Sequence, residues 1–219
     1  MRRETLLIAS TNAGKIREIR AALAGLPFRI VGLADVLPGV EYRERGRTFS
    51  ENARGKALYY SRRSGLPTLA EDSGLEVEAL GLAPGVKSAR FAPPRPSDEA
   101  NNRKLLRLLA GVPGKRRRAR FVCVMVLADG GRVLREVRSE ARGVIAETPR
   151  GGGGFGYDPL FTFPRLRKTF AELAPDEKNA VSHRGRAVRK MISYLRQRGL
   201  SGRAADVNAG LRGRPALTR

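Results

Sequence analysis

The chain has one cysteine, one histidine, few aromatic residues and only 21 acidic residues against 43 basic ones. A single cysteine excludes an intrachain disulfide. Cys123 sits in the apolar run FVCVMVLA, which predicts a buried, inert thiol rather than a nucleophile. No apolar run reaches the length of about eighteen residues that a membrane helix needs. The opening MRRETLLIAS turns polar too early for a signal-peptide core, so a cytoplasmic protein without a membrane partner is expected. Aromatics make up 6% of the chain and do not interleave with its dense basic run, KRRRAR from Lys115 to Arg120. The stacking platform of a single-strand nucleic-acid binder is therefore missing. The net charge of +22 reads as a solvated, arginine-rich surface with no more than weak electrostatic attraction to nucleic acid.

What is present fits one globular unit. With 219 residues, 41% of them apolar, the chain can bury a substantial core. Residues 1–198 are expected to form a single domain, followed by a basic, Gly/Arg-rich tail at 199–219. Short Val-, Leu- and Ile-rich runs alternate with segments of helical period, the pattern of an α/β fold with one main sheet. The clearest helix is TFSENARGKALYYSRRSG, with a capping box of Thr48 and Glu51 and a stop at Gly65. Asn52 and Lys56 share one of its faces. SDEANNRKLLRLLAG predicts a second helix capped by Ser97, with Leu105, Leu108 and Leu109 as its buried stripe. RFVCVMVLADGGRVLREVRSEARGVI predicts a hairpin turning at Asp129 and Gly130. HRGRAVRKMISYLRQRG predicts a closing helix begun by Ser182. No internal repeat is visible.

STNAGK, from Ser10 to Lys15, follows an apolar strand and opens a helix. It is not a P-loop, because Ala9 stands where the first glycine belongs and Ile16 where a metal-binding hydroxyl is required. It still offers unpaired backbone N–H groups, the positive end of a helix dipole and one ammonium, which suit an anion. Only eight of the 43 basic residues are lysine, and Lys15, Lys56 and Lys178 all fall in segments of chemical character.

In LPTLAEDSGLEVEAL a strand is expected to end at Glu71 and Asp72, before a turn at Ser73 and Gly74. Adjacent carboxylates there suit Mg²⁺ and a base acting on water. Glu41 and Glu44 form a further acidic cluster that could complete a metal shell. The glycine run 151–154 is expected to let the backbone approach a ligand. Lys178, Ser182, His183 and Arg184 gather donors suited to a phosphate or to the oxygen-bearing edge of a base.

Together, STNAGKIREI, TFSENARGKA, AEDSGLEVEALGLAPGVKSARFA, GGFGYDPLF and KNAVSHRGRA strongly resemble the inosine/xanthosine triphosphate pyrophosphatase family of nucleotide-pool house-cleaning enzymes. The resemblance runs from residue 5 to about residue 195. It implies an elongated, mixed α/β fold with two lobes around a deep cleft, usually a homodimer. The implied activity is hydrolysis of ITP, dITP and XTP to the monophosphate and pyrophosphate.

Carried onto this sequence, the resemblance makes Ser10, Thr11, Asn12, Ala13, Gly14 and Lys15 the triphosphate cradle. Asp72 becomes general base and metal ligand, with Lys56 beside it as a catalytic cation, and Ser73 becomes a substrate contact. Phe155, Gly156, Tyr157 and Asp158 form the base-binding loop, while Lys178, His183 and Arg184 read the purine. Mg²⁺ is expected on Asp72, Glu44 and Glu71; Glu44 is preferred to Glu41 on its spacing to Gly46 and Thr48. A related pyrophosphatase of the septum-formation type, acting on pyrimidine or modified nucleotides, and a charge-driven nucleic-acid binder are the alternatives. The FGYDPLF and SHRGRA segments disfavour the first, and Glu71 with Asp72 the second.

Overall fold

The structure, a computed structural model, describes residues 4–197; the basic tail expected at 199–219 lies outside the described residues. A seven-stranded mixed sheet carries flanking helices, so the α/β expectation holds. In chain order the elements are β1 (Glu4–Ala9), α1 (Ala13–Leu23), β2 (Phe28–Gly32), α2 (Leu33–Val36), α3 (Phe49–Ser64), β3 (Thr68–Val77) and α4 (Asp98–Leu108). They continue as β4 (Arg118–Asp129), β5 (Arg132–Ile145), β6 (Phe161–Phe163), β7 (Lys168–Thr169), α5 (Pro175–Val181) and α6 (His183–Gln197). The sheet order is β2-β1-β3-β4-β5-β6-β7; β1 pairs parallel with β2 and β3, and the later neighbours pair antiparallel. Among the described residues no helix is long and apolar enough to cross a membrane.

Strand alternation divides the core between the two faces of the sheet. Leu6, Ile8, Leu69, Cys123 and Met125 face α1 and α6, where Ile19, Leu23, Val188 and Met191 close over them. Leu7, Ala9, Ala70, Val122 and Val124 face α3, against Phe49, Ala53, Ala57 and Tyr60. A third cluster fills the far end with Leu75, Leu105, Phe121, Phe161 and Phe170. Half of the capping box expected on α3 forms: Thr48 Oγ1 accepts from Glu51 N at 3.1 Å, but the Glu51 carboxylate accepts from Arg47 N at 2.7 Å instead of from Thr48 N. Gly65, at φ 64°, ends the helix in the left-handed region. The β4–β5 hairpin forms, but one residue later than expected: Asp129 pairs with Arg132 as the last rung of the ladder, and the turn runs through Gly130 and Gly131, both at positive φ.

Three expectations fail for tertiary reasons. β3 does not stop at Glu71 but runs through Ser73 and Gly74 to Val77, because β4 pairs with it along its whole length. Gly74 is needed there not for a turn but for close approach: a Cβ would collide with the Ser88 hydroxyl and lie 3.0 Å from the Phe49 ring. On α4 the inward positions are Asn101, Leu105 and the following Leu109, whereas Leu108 is 44% exposed. Nor is the basic run wholly solvated, since Arg117 is buried and its guanidinium donates to the carbonyls of Leu109, Val112 and Ala146 at 2.8–3.1 Å.

Candidate active site

The site forms where one side of β3 loses its partner. β1 accompanies β3 only from Leu7 opposite Thr68 to Ala9 opposite Ala70. Beyond that point β3 has no strand beside it on this side until Glu76 bridges Pro84, and the chain leaving β1 turns into α1. The gap at the carboxyl end of a parallel strand is where open α/β sheets bind ligands. Here it becomes a cavity of about 760 Å³.

Ser10, Thr11, Asn12 and Lys15 line this cavity from the α1 side, with Glu44, Lys56, Asp72 and Ser73 also on its wall. Phe155, Gly156, Tyr157, Asp158, His183 and Arg184 line it too. Ala13, Gly14, Glu71 and Lys178 stand outside that lining. Asn12 caps α1, its Oδ1 accepting from Lys15 N at 3.0 Å, which holds the loop open toward the cavity.

Asp72 and Glu71 separate, because neighbours on a strand point to opposite faces. Asp72 faces α3, where Asn52 Nδ2 donates to its Oδ2 at 3.0 Å. Burial raises its pKa to about 6; Lys15, the Asn52 hydrogen bond and Lys56 oppose the rise, and Glu44 adds to it. Glu71 faces α6 and α1, held by Lys15 Nζ at 2.7 Å and Arg184 Nε at 3.4 Å. Burial alone would raise Glu71, but Arg184 and Lys15 outweigh it and keep the carboxyl well below its usual range. The expected pairing of Glu71 with Asp72 around one metal is therefore replaced by an ion-paired Glu71 on the other face. Lys15, expected to grip phosphate, makes the same pair. The Cys123 thiol is fully buried and donates to Glu71 Oε2 at 3.2 Å, as befits an inert group.

Of the two candidate glutamates, Glu44 makes a close ion pair with Lys56. Among the described residues no group of three His, Cys, Asp or Glu side chains is gathered to hold a metal alone. The donor set nonetheless fits Mg²⁺, which is typically bound by one or two carboxylates together with waters and substrate phosphates. Asp72, buried and pushed up partly by Glu44, is a carboxylate whose charge lacks full compensation.

The 155–158 loop is tied on every side. Asp158 Oδ2 accepts from Phe155 N at 2.8 Å and ion-pairs with Lys178. Gly156 N donates to Asp98 Oδ2 at 2.6 Å, and Asn102 donates to Gly156 O at 2.9 Å. The Phe155 ring lies so close over Gly14 that a Cβ there would sit 2.8 Å from Cε1. Lys178 Nζ is 4.8 Å from the ring centroid and the Arg184 guanidinium carbon 5.4 Å. Tyr157 turns into the interior, its hydroxyl donating to Ser88 O at 2.8 Å, so it anchors the loop. The glycine run expected to approach a ligand instead approaches protein: a Cβ on Gly151 would strike the Ala171 backbone, and one on Gly154 the Asp158 carboxylate.

His183 is buried and lies parallel to Phe121, with ring centroids 4.6 Å apart. Burial, with Arg184 nearby, drives its pKa well below the usual value, so the imidazole is neutral, and its Nδ1 has no protein partner. Arg184 donates to Ser73 Oγ at 2.8 Å and to Glu18 Oε2 at 2.6 Å. Glu18 also takes Lys178 Nζ at 2.7 Å. Two organising residues were thus missed in the sequence reading. Glu18 carries no local signal beyond being an acid in an acid-poor chain. Asn52 was detectable in part, since it shares a helix face with Lys56.

The Ham1 family model matches residues 6–194. A dITP/XTP pyrophosphatase of Geobacter sulfurreducens is 48% identical over 195 residues, covering 89% of this chain and 98% of that protein. Another protein of that name, from Gloeobacter violaceus, is 50% identical over 189 residues, covering 86% of this chain and 92% of that protein. A solved Ham1 structure from Coxiella burnetii superposes with a TM-score of 0.80 at 37% identity, covering 89% of this chain and 99% of the other. Matched along nearly all of its described length, and sharing both sequence and architecture with these proteins, this chain belongs to the Ham1 family.

Proposed function

We infer that the protein hydrolyses non-standard purine nucleoside triphosphates, ITP, dITP and XTP, to the monophosphate and pyrophosphate. The observation that carries this reading is the sharing of one cavity by the helix-opening loop Ser10–Asn12 and Asp72. An anion-binding loop and a base on one wall are what attack on a phosphate chain requires. The names of the relatives, dITP/XTP pyrophosphatase, supply the substrate class.

Asp72 and Glu44 would hold Mg²⁺, which when bound neutralises phosphate charge and assists ionisation of water. The backbone N–H groups and Asn12 orient the triphosphate along the loop. Asp72 takes a proton from the attacking water as the new bond to the α-phosphorus forms. The bond between the α-phosphorus and its bridging oxygen breaks, and pyrophosphate leaves with that oxygen. Lys56, ion-paired with Glu44, places a cation beside the growing charge.

At the other end, Phe155 stacks on the purine. Neutral His183 and the Arg184 guanidinium present donors to the C6 oxygen of hypoxanthine and xanthine, which adenine replaces with an amino donor. A site built to satisfy one hydrogen-bonding pattern rejects the mismatch by about four to five decades. The protein acts on this reading as a cytoplasmic homodimer whose other partner is its nucleotide. Pyrophosphate release with Mg²⁺ and, in separate reactions, ITP, XTP, GTP, ATP and dTTP tests the reading: ITP and XTP should turn over fastest, and equal rates on all five would overturn it.

A further inference from the structure

Residues 40–46 lie outside any strand or helix, yet their burial alternates: Val40, Tyr42, Glu44 and Gly46 are half-buried while Glu41, Arg43 and Arg45 are exposed. The half-buried set is tied to α3 in reverse order. Gly46 N donates to Asn52 Oδ1 at 2.8 Å, Glu44 pairs with Lys56, and the Tyr60 hydroxyl donates to Val40 O at 3.0 Å. The helix partners at 52, 56 and 60 form one stripe. From Gly46 to Glu44, two residues of extended chain advance about 6.6 Å against about 6.0 Å for four residues of helix, so the two match; from Glu44 to Val40, four residues of strap accompany four of helix, which leaves one wide step. The segment is a strap laid antiparallel along α3.

Tyr42 fills the one wide step of this strap, and its seat is Gly55. A Cβ on Gly55 would collide with the Tyr42 hydroxyl and lie 2.9 Å from its ring carbon Cζ. The Tyr42 ring leans on Tyr59, with centroids 5.3 Å apart. Glycine is a poor residue for the middle of a sixteen-residue helix, so its place on α3 asks for a compensating role. The same helix stripe also carries the Asn52 amide that holds Asp72.

We propose that Gly55 and Tyr42 are positioning residues that register the strap on α3 and so set Glu44 beside Asp72 for the divalent cation. This rests on the reading that those two carboxylates take the metal. Neither residue needs to touch the reacting atoms. Gly55→Ala lifts Tyr42 from its seat and shifts Glu44, while the alanine itself favours the helix.

The test titrates the full-length protein with Mn²⁺ alone, reading free Mn²⁺ by electron paramagnetic resonance, and follows ITP turnover against Mg²⁺. Gly55→Ala should weaken Mn²⁺ binding and raise the Mg²⁺ requirement by about tenfold, the scale of lost support to a metal ligand. The turnover number at saturating Mg²⁺ should stay within about twofold, and the melting temperature should not fall. Tyr42→Ala, which leaves the helix untouched, should weaken Mn²⁺ comparably, and the double variant should be no weaker than Tyr42→Ala alone. Wild-type Mn²⁺ affinity in both single variants would overturn the strap and leave the functional reading standing. A wild-type protein with neither Mn²⁺ binding nor Mg²⁺-dependent turnover would overturn the metal reading and the strap with it.

Discussion

Glu71 and Asp72 are adjacent on β3, leave it on opposite faces and are driven to opposite ionisation behaviour. Asp72, against Asn52, is raised to about 6, while Glu71, against Lys15 and Arg184, is held well below its usual range. One residue is prepared to accept a proton and the other to stay charged as a counter-ion.

Asp72 should therefore trade stability for activity. A carboxyl raised in the folded state above its unfolded value of 3.8 adds no penalty below pH 4, a growing one between pH 4 and 6, and the full one above. In chelator, Asp72→Asn should be more stable than wild type by about 2–3 kcal/mol at pH 8, and the gap should close by pH 4. Its turnover of ITP should fall by about two to four decades. Urea denaturation at the two pH values and a pyrophosphate assay measure both effects; added Mg²⁺ should raise the melting temperature of wild type more than that of the variant.

Glu71→Gln should do the reverse. It leaves Lys15 and Arg184 without their carboxylate, and breaking one side of a buried pair costs about 3–5 kcal/mol. A carboxyl depressed in the folded state stabilises above its unfolded value of 4.5 and loses that contribution as pH falls. Denaturation should show a large deficit at pH 7 that narrows below pH 4.5.

Arg184→Lys keeps the charge but not the fork that reaches Glu18 and Ser73 together. Losing one charge-assisted hydrogen bond, worth about 1.5–3 kcal/mol, should raise the KM for ITP by about ten- to a hundredfold and lower the preference for ITP over ATP. Steady-state kinetics on both nucleotides decides it.

Arg117→Met removes the donors to the carbonyls of Val112 and Ala146, and one of two donors to Leu109 O, which Val112 N also reaches at 3.1 Å. Stability should drop by about 3 kcal/mol, the scale of leaving buried acceptors unpaired. Turnover at saturating substrate should remain within about twofold of wild type, because the group lies outside the cavity lining.

Whatever depends on a few neighbouring residues was legible beforehand. The Thr48 cap on α3, the Gly65 stop and a tight hairpin between β4 and β5 each satisfy backbone groups within a handful of positions. The cavity-lining members of the candidate site, from Ser10 to Arg184, were also legible as motifs. What misled was chemistry whose partner lies far along the chain. Ser73–Gly74 reads as a turn until the Ser88 hydroxyl is found where a Gly74 side chain would go. Arg117 reads as solvated until α4 delivers Leu109 O to it, and Leu108 reads as buried until the stripe through Asn101 and Leu105 turns it outward.

The sequence alone determined the alternation of strands and helices, the helix ends and the residue types that chemistry would need, since hydrophobic periodicity and capping are short-range. Tertiary structure decided which face each carboxylate meets, which lysine is already paired, and that Glu18 and Asn52 hold the site together. A pKa or an ion pair depends on burial and on charges a few ångströms away, and along β3 those come from β4, α1, α3 and α6, elements whose arrival the local sequence does not encode.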